Sequence, residues 1–496
     1  MDKIRIERRY LWWLIALLLV ATLPWLGLTD FNTKGEPREA IVSQTMIEQG
    51  NWILPNNNGG EMAYKPPFYH WCGAVVATIV GEVNEYTARF PSALAGILMT
   101  LWTFVFYARR KDSQTALLAA LVLVSNFEVH RALFAARVDM VLTFCIVGAL
   151  FAMARWAEDR RPWWSLPWLA ILLMGCGALT KGPVAIVLPC AVTGLFMLLR
   201  GRNFFVAFAS MAVSCVLALV LPAMWYWAAY QQGGDQFLGL VREENVDRFL
   251  GKMSYASHEN GLWYYPVMIL AGLLPWTFVV LWQWWQKRAG IRRFVPLTEG
   301  IKALWQRLRS MDAVSLFSLL AFVVIFVFYC IPKSKRGVYI LPVYPFAAWY
   351  IATLLRRWQM RTLRTTFAVV LALWLTADVV ALPIILNCKS DIDIAREVTE
   401  IAGTQPLTSH VSGGAPGNPV HFFTINFYLH NRVGVWDEGV ASQPEGYLLI
   451  GEKDAPDFMA QHRDYAFSLV YTSSHKSCDT HQKVQMYKYQ NESKQK

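Results

Sequence analysis

Long apolar runs separated by short charged segments dominate the chain from Tyr10 to Leu386. Most runs are roughly 18–20 residues long, which is the length that a helix needs to cross a bilayer. The pattern predicts eleven crossings, at residues 10–29, 90–108, 114–128, 139–157, 164–180, 183–199, 204–229, 263–285, 313–331, 338–355 and 366–386. The chain is therefore expected to be an all-α multispan membrane protein.

One further apolar stretch, from Pro67 to Val80, is only fourteen residues long. That length suits a re-entrant or interfacial helix better than a full crossing. If it does not cross and the N-terminus is cytoplasmic, the basic clusters at 109–111, 160–161, 200–202, 287–309 and 356–364 all face the cytoplasm, as the positive-inside rule requires. The loops 30–89 and 230–262 and the tail 387–496 then lie outside, and the basic linker 286–312 lies inside.

The tail beyond the last apolar run differs in pattern from residues 1–386. Residues 392–401 have helical spacing, and residues 421–429 and 467–471 have the alternation of strands. We expect a small soluble α/β domain over residues 387–496. Cys388 and Cys478 lie in this tail, and the sequence leaves open whether they form a disulfide.

Composition agrees with a membrane protein, since 55% of the residues are apolar and 16% are charged. The net charge of +11 does not indicate nucleic-acid binding, because the basic residues mostly flank apolar runs. The sequence contains no P-loop, no dinucleotide-binding glycine fingerprint, no HExxH and no GxSxG. A nucleotide or sugar-nucleotide substrate is therefore not supported.

The first external loop contains several acids and cations. Such residues are not needed for crossing a bilayer. Pro37 and Gly50 predict the start and end of a helix, and Glu36 lies at its positive end. Lys65 follows, before two prolines that fix the backbone. Two simpler interpretations remain open: Glu36 complements the helix dipole, and Lys65 reaches to lipid headgroups.

Other polar groups fall at the outer face against the charge bias, and an anionic ligand held there would explain them. Asp139 would be costly at the start of a span unless it is paired. A structural pair with Arg137, or ordinary solvation of the loops, is the alternative. The candidate substrate- and phosphate-binding residues are Arg38, Arg89, Arg137, Lys181, Glu244, Arg248, Lys333, Lys335 and Tyr339, and the candidate catalytic residues are Glu36, Asp139 and Lys65.

The order and spacing of several short segments give a resemblance over about residues 10–385. The segments are Gly-Glu-Pro-Arg-Glu-Ala at 35–40, Gly-Asn-Trp-Ile-Leu-Pro at 50–55, Lys-Pro-Pro at 65–67, Arg-Phe-Pro-Ser-Ala at 89–93, Arg-Val-Asp at 137–139, Thr-Lys-Gly-Pro at 180–183, residues 244–249, Trp-Tyr-Tyr at 263–265 and Tyr-Ile-Leu-Pro at 339–342. The chain resembles the protein O-mannosyltransferase superfamily of membrane glycosyltransferases. Within it, the sequence is most similar to the 4-amino-4-deoxy-L-arabinose transferases of lipid A.

The resemblance implies a multispan fold of the GT-C type with juxtamembrane helices, located in a bacterial inner membrane. It implies a polyprenyl-phosphate sugar donor and roles for the first-loop acid, Lys65 and Asp139. The chain departs from the family twice. Gly35 stands where the family usually has the Asp of an Asp-Glu pair, so the role of the base moves to Glu36, with Asp30 as the alternative. Tyr64 stands where the arabinose branch often has an acid, so a divalent metal is not supported.

The function expected from these observations is transfer of a sugar from a polyprenyl phosphate to a lipid A-type glycolipid or another acceptor at the periplasmic face. Glu36 or Asp139 would accept a proton or orient the acceptor, and Lys65, Arg137 and Lys335 would neutralise the leaving phosphate. The alternatives are an enzyme that modifies protein hydroxyls, a lipid-linked glycan ligase, and a transporter of lipid-linked sugars. The expected partners are the donor, a glycolipid or protein acceptor and membrane lipids, without nucleic acid.

Overall fold

A computed structural model describes residues 6–159, 165–243, 260–287, 306–409, 422–436 and 445–491. Much of the predicted linker 286–312 and the second half of the loop 230–262 lie outside these residues. The chain up to Asn387 is helical, and the part beyond it combines helices with a sheet. The predicted class, a helical multispan protein followed by a small α/β unit, is confirmed at this level.

The helical part packs around one extended apolar core. Its helices are α1 (Arg8–Thr22), α2 (Gly35–Gln49), α3 (Phe68–Val80), α4 (Glu85–Ala108), α5 (Ser113–Ser125), α6 (Phe127–Leu133), α7 (Val138–Glu158), α8 (Trp168–Lys181), α9 (Val184–Leu199), α10 (Phe204–Ala218), α11 (Val220–Arg242), α12 (Tyr264–Gly272), α13 (Thr277–Lys287), α14 (Ala313–Cys330), α15 (Tyr344–Leu355), α16 (Met360–Thr376) and α17 (Leu382–Asn387).

Within the described residues, six helices are long and apolar enough to cross a membrane, or up to eight if each of two bent pairs is one span. The protein is therefore an integral membrane protein. The predicted spans at 10–29, 164–180 and 183–199 fall on α1, α8 and α9, which have 15, 14 and 16 residues. The count of eleven crossings stays a prediction.

Two of the predicted spans are bent. The chain turns by 67° between α5 and α6 and by 108° between α12 and α13. Asn126 makes the first turn, because it follows the last residue of α5 and its side chain accepts a hydrogen bond from the amide of Val129 at 3.0 Å. A side chain that caps a new helix starts a new helix direction, so the run 114–128 is not one straight segment.

The short helix predicted after the two prolines is confirmed as α3. It has 13 residues, ends at Gly81 with a left-handed backbone, and packs against α2, α4 and α8. Its position ties the first loop to the bundle on both sides. Whether α3 crosses the bilayer stays a prediction.

The tail forms a five-stranded mixed sheet with three short helices. These are α18 (Ile392–Ala402), β1 (Leu407–Ser409), α19 (Phe423–Tyr428), β2 (Val433–Val435), β3 (Glu445–Gly451), α20 (Ala455–Gln461), β4 (Tyr465–Lys476) and β5 (Lys483–Asn491). The order is β2-β1-β3-β5-β4, with β1 parallel to β2 and β3 and the other pairs antiparallel. The predicted helix at 392–401 and strand at 467–471 are confirmed.

The strand predicted at 421–429 is wrong over its described part, which forms α19. Alternation of apolar residues suggested a strand, but Phe422, Ile425 and Leu429 lie at helical spacing and enter one core together. His421 lies outside the described residues. Cys388 and Cys478 are both free thiols, so the disulfide that the sequence left open does not form.

Candidate active site

Helix α2 carries the acids of the first loop and is confirmed almost as predicted. It begins at Gly35 and ends before Gly50, which adopts a left-handed φ of 67°. Such a backbone costs glycine little. Glu36 and Glu39 are both only 8% exposed, although α2 is not an apolar helix. Buried carboxylates require partners, and these partners define the site.

Glu36 is held by the guanidinium of Arg89, which projects from α4. The Nε and Nη2 atoms of Arg89 donate to the two carboxylate oxygens at 2.9 and 3.1 Å. The remaining donor, Nη1, binds the carbonyl oxygens of Leu26 at 2.8 Å and Thr29 at 2.6 Å. The amide of Ala136 also donates to Glu36 at 2.8 Å. One acid therefore ties together the first loop, α4 and the segment before α7.

These partners set the charge of Glu36. Burial by itself would raise the pKa of the carboxyl, but Arg89 and the amide of Ala136 outweigh it and hold the pKa below its usual value. A carboxylate with both oxygens occupied and a lowered pKa is a weak proton acceptor. The geometry thus favours a positioning role for Glu36. Its predicted role as general base stays a prediction that these contacts do not favour.

Glu39 lies one turn further along α2 and pairs with His70 of α3. Its Oε2 atom is 2.8 Å from Nε2 of His70, and Arg38 is 3.8 Å away on the other side. Burial raises the pKa of Glu39, but His70 and Arg38 outweigh it and bring the pKa to about 2. The pair fixes α3 against α2. The sequence did not single out this pair, although Glu39 follows Glu36 at the helical i,i+3 spacing.

Arg137 packs its guanidinium against Gly35 at the start of α2. A Cβ atom at position 35 would collide with the Nη2 atom of Arg137. The charge of Arg137 helps to lower the pKa of both Glu36 and Glu39. The absence of a side chain at Gly35 therefore leaves space for a cation beside the first turn of α2.

A second cluster begins two residues after Arg137. Asp139 of α7 is buried and pairs with Lys181, the last residue of α8. The ammonium of Lys181 also lies 4.2 Å from the centre of the Tyr339 ring, a cation–π contact. The alternative pairing of Asp139 with Arg137 is not found, because Lys181 takes that place.

The N-terminus of α7 joins the two clusters. Arg137 is the residue that precedes this helix, and Val138 and Asp139 are its first residues. The first amides of a helix lack partners within the helix and favour an anion nearby. Arg137 on one side and Lys181 on the other add fixed positive charge. The arrangement is suited to binding a phosphate.

The remaining candidate residues differ in their burial and in their contacts. Lys65 is half-buried just before α3, and no carboxylate among the described residues pairs with it. Lys335 is 4% exposed and donates to the carbonyl oxygen of Asn260 at 2.8 Å. Lys333 is exposed. Glu244 and Arg248 lie outside the described residues.

The tail contacts the first loop through α19 and the residues that follow it. Asn426 donates to the side chain of Asn58 at 2.5 Å, and Asn431 accepts from the amide of Gly59 at 3.2 Å. Phe31 packs edge-on against Phe427, with ring centres 4.9 Å apart. These contacts hold the outer side of the loop, while α3 and α4 hold its inner side.

Comparison with known proteins places this geometry in context. Residues 64–227 match the family model described as dolichyl-phosphate-mannose-protein mannosyltransferase. An uncharacterized protein of Aquifex aeolicus is 27% identical over 71% of this chain and 65% of its own length. The undecaprenyl phosphate-alpha-4-amino-4-deoxy-L-arabinose arabinosyl transferase of Shewanella sediminis is 28% identical over 69% of this chain and 58% of its own length.

The predicted resemblance to this superfamily is confirmed. The chain spans less than two thirds of the length of the curated relatives described above. The crystal structure of ArnT from Cupriavidus metallidurans bound to undecaprenyl phosphate is 17% identical, with a TM-score of 0.74 over 97% of this chain and 98% of that one. The shared GT-C-type fold thus extends over the tail, for which the sequence had suggested no relative.

Proposed function

We propose that the protein is a membrane glycosyltransferase that moves a sugar from a polyprenyl-phosphate donor to a lipid A-type glycolipid or another acceptor. The observation that carries the proposal is the pair of charged clusters on either side of the N-terminus of α7. Arg137 lies against Gly35 at the start of α2, Lys181 pairs with Asp139 in the first turn of α7, and Arg137, which precedes α7, makes no side-chain hydrogen bond that caps it. The arabinosyl transferase relatives and the fold of ArnT support the same donor chemistry.

The donor phosphate is proposed to lie against the start of α7. Arg137 and Lys181 would neutralise it as the bond to the sugar breaks, and Lys65 would approach from the segment before α3. Developing charge on a leaving phosphate is stabilised most by cations that are already in place. The pairs Glu36–Arg89 and Glu39–His70 would fix the position of α2. They would thereby keep open the space that Arg137 occupies.

Asp139 and Tyr339 are proposed to position Lys181. The carboxylate fixes one side of the ammonium and the ring fixes another, so that the remaining donors of the ammonium are free to face the phosphate. Lys335 would add positive charge from the neighbouring loop, as would Lys333. Glu244 and Arg248 are retained as proposed substrate contacts on the resemblance alone.

The orientation and division of the chain are also proposals. Residues 1–386 would form the catalytic membrane domain with the N-terminus in the cytoplasm, and residues 387–496 would form a periplasmic domain in a bacterial inner membrane. The basic residues at the ends of α4, α7 and α9 support this orientation. It places the charged clusters where a lipid-linked sugar is presented at the outer leaflet.

The test is transfer by purified full-length protein in detergent. Undecaprenyl phosphate-linked 4-amino-4-deoxy-L-arabinose, labelled in the sugar, is incubated with lipid A, and the products are identified by mass spectrometry. A labelled glycolipid, lost in Lys181→Ala but retained in a Lys111→Ala control, is expected. A protein that forms no new glycoside but moves the intact donor across a vesicle membrane would instead be a transporter.

The other two rivals predict different products. A glycan ligase would prefer lipid-linked oligosaccharides to lipid-linked monosaccharides, and an enzyme of the protein-modifying type would label serine or threonine side chains. Neither has a specific contact in the structure that favours it. Offering both donors, and both lipid and protein acceptors, in one assay separates them from the proposed function.

A further inference from the structure

Helix α7 begins at the candidate active site and ends, about 30 Å away, beside two adjoining cavities. The smaller cavity has a volume of about 320 Å³ and is bordered by α4, α7 and α8. Its wall is largely apolar and includes Trp102, Phe106, Phe151, Trp168 and Leu169. Trp168 and Leu169 lie at the start of α8 and are 66% and 53% exposed. Large exposed apolar side chains on a membrane protein mark contact with lipid, so this cavity borders the bilayer.

Two exposed arginines, Arg109 and Arg155, line both cavities. Arg109 directly follows α4, and Arg155 lies in the last turn of α7. Within the described part of the chain, neither is paired with a carboxylate. Their neighbour Arg110 is different, because it pairs with Glu158 at 2.8 Å and lies 4.2 Å from the centre of the Phe106 ring. Arg109 and Arg155 are therefore available to bind an anion from outside the protein.

The larger cavity carries an excess of positive charge. It has a volume of about 2030 Å³, and among the described residues eight arginine and lysine side chains line it against three carboxylates. Two of these carboxylates are already engaged, Glu158 by Arg110 and Asp312 by Lys111, each at 2.8 Å. A cleft lined mainly by charges of one sign attracts ligands of the opposite sign. The larger cavity thus favours an anionic ligand.

We propose that the two adjoining cavities bind an anionic phospholipid of the surrounding membrane. In this arrangement the lipid phosphate lies between Arg109 and Arg155, where the two cavities meet. One acyl chain lies along the apolar wall of the smaller cavity, and the rest of the headgroup extends into the larger one. Basic pockets between membrane helices bind anionic headgroups in this way. This binding does not depend on the proposed function, since no residue of the candidate active site takes part in it.

The apolar wall favours a lipid over a soluble anion. A free phosphate or a sugar phosphate would contact the arginines but would leave Trp102, Phe151 and Trp168 uncovered, whereas an acyl chain gains free energy by covering apolar surface. A zwitterionic lipid would bring its own ammonium into a cavity that is already positively charged. A phospholipid with a net negative charge, such as phosphatidylglycerol, matches both the apolar wall and the arginines.

The experiment uses full-length protein in detergent, with bound lipids counted by native mass spectrometry. Phosphatidylglycerol and phosphatidylethanolamine with identical acyl chains are titrated against the wild type, the double variant Arg109→Gln/Arg155→Gln and the control Arg356→Gln/Arg357→Gln. The control arginines are exposed and follow α15 at the same end of the bundle, but they line neither cavity. A further variant, Ala152→Phe, fills the smaller cavity and keeps both of its arginines. Thermal unfolding checks that each variant is folded.

Two further measurements locate the lipid. Glycerol phosphate, which has the phosphate but no acyl chain, is added in excess as a competitor. A phosphatidylglycerol with a photoreactive acyl chain is crosslinked to the wild type, and the labelled peptides are identified by mass spectrometry. The labels are expected on α4 and α8, beside Trp102 and Trp168, and glycerol phosphate should not displace the lipid.

The wild type is expected to bind phosphatidylglycerol about tenfold or more tightly than phosphatidylethanolamine, because each arginine beside an anionic headgroup contributes roughly fivefold to the affinity. Arg109→Gln/Arg155→Gln should lose this preference, whereas Arg356→Gln/Arg357→Gln should stay within about twofold of the wild type. Ala152→Phe should weaken the binding of phosphatidylglycerol about tenfold, because the acyl chain loses its place although the charges are unchanged.

Four results would overturn the lipid site: equal affinity of the wild type for the two lipids, wild-type affinity for phosphatidylglycerol in the folded double variant, crosslinks confined to other helices, or displacement of the lipid by glycerol phosphate. The last result would identify a site for soluble anions. If the double variant does not fold, Ala152→Phe and the crosslinks still decide the question. Loss of sugar transfer in an assay of the wild type would contradict the proposed function and leave the lipid site unaffected.

Discussion

The charged pairs at the two ends of the helical bundle differ in burial: those at one end are buried and those at the other end are more exposed. At the start of α4, Arg89 is 2% exposed and its partner Glu36 is nearly as deeply buried. At the other end of the same helix, about 30 Å away, Arg110 pairs with Glu158 and Lys111 with Asp312, all with more exposed side chains. An open cavity of about 2030 Å³ lies there, lined by several arginines.

The difference separates charges that water stabilises from charges that need a matched partner inside the protein. Exposed cations at one end need no buried partner, and under the proposed orientation they would satisfy the positive-inside rule. Burying charges at the other end is costly, and the chain does so with matched partners and a few oxygens left unpaired. The predictions below set matched residues at the two ends against each other.

Removal of Lys65 should have the largest effect. The Lys65→Ala variant is expected to lose sugar transfer by about 100-fold or more, because one preorganised charge on a leaving group is worth that much in a dry site. Lys111→Ala, at the opposite end, should stay within twofold in the same assay. Similar losses in both variants would remove the distinction between the two ends.

Breaking the Arg89–Glu36 pair should have the next largest effect, on stability. Arg89→Ala leaves a buried carboxylate without its cation, which typically costs about 3–5 kcal/mol. Arg110→Ala breaks a solvated pair and should cost about 0–1 kcal/mol. Thermal unfolding in detergent measures both, and equal shifts in Tm would show that burial does not set the strength of these pairs.

Filling the space beside Gly35 at the start of α2 should weaken binding of the donor. Gly35→Ala puts a Cβ atom where the guanidinium of Arg137 lies, and we expect KM for the donor to rise about tenfold, roughly the loss of one good charged contact. Gly239→Ala in α11 meets open space and is the control. An unchanged KM in Gly35→Ala would mean that Arg137 does not need its present position.

The smallest effect on sugar transfer is expected from a change in the tail. Burial and the neighbouring Asp391 raise the pKa of Asp479 to about 7, so ionising Asp479 opposes folding. Its destabilising effect should be absent well below the ordinary pKa of an aspartate, about 4, should develop as pH rises, and should be complete above pH 7. Asp479→Asn should flatten this dependence of tail unfolding on pH, followed by hydrogen exchange, and a steeper dependence would contradict the sign.

A structural feature can be predicted from the sequence when the residues that cause it lie close together in the chain. Pro37 and Gly50 mark α2 because capping is local, and the apolar runs mark the long helices. The partner of Glu36 is not predictable in the same way, since Arg89 lies 53 residues further along the chain. The error at Phe423–Tyr428 arose because alternation and helical spacing coincide over six residues.

The candidate site shows the same limit. Asp139, Lys181 and Tyr339 were named from separate segments, and the fold brings these three together. Glu36 was named for its residue type, but its hydrogen bonds show an occupied carboxylate.

The contacts between the tail and the first loop determine how this part of the protein responds to salt. Several of these contacts join uncharged groups: Asn58 with Asn426, Gly59 with Asn431, and the rings of Phe31 and Phe427. Neutral contacts of this kind are hardly weakened by dissolved ions, unlike charge pairs at a surface. The first loop should therefore stay in contact with the tail as the salt concentration around the protein rises.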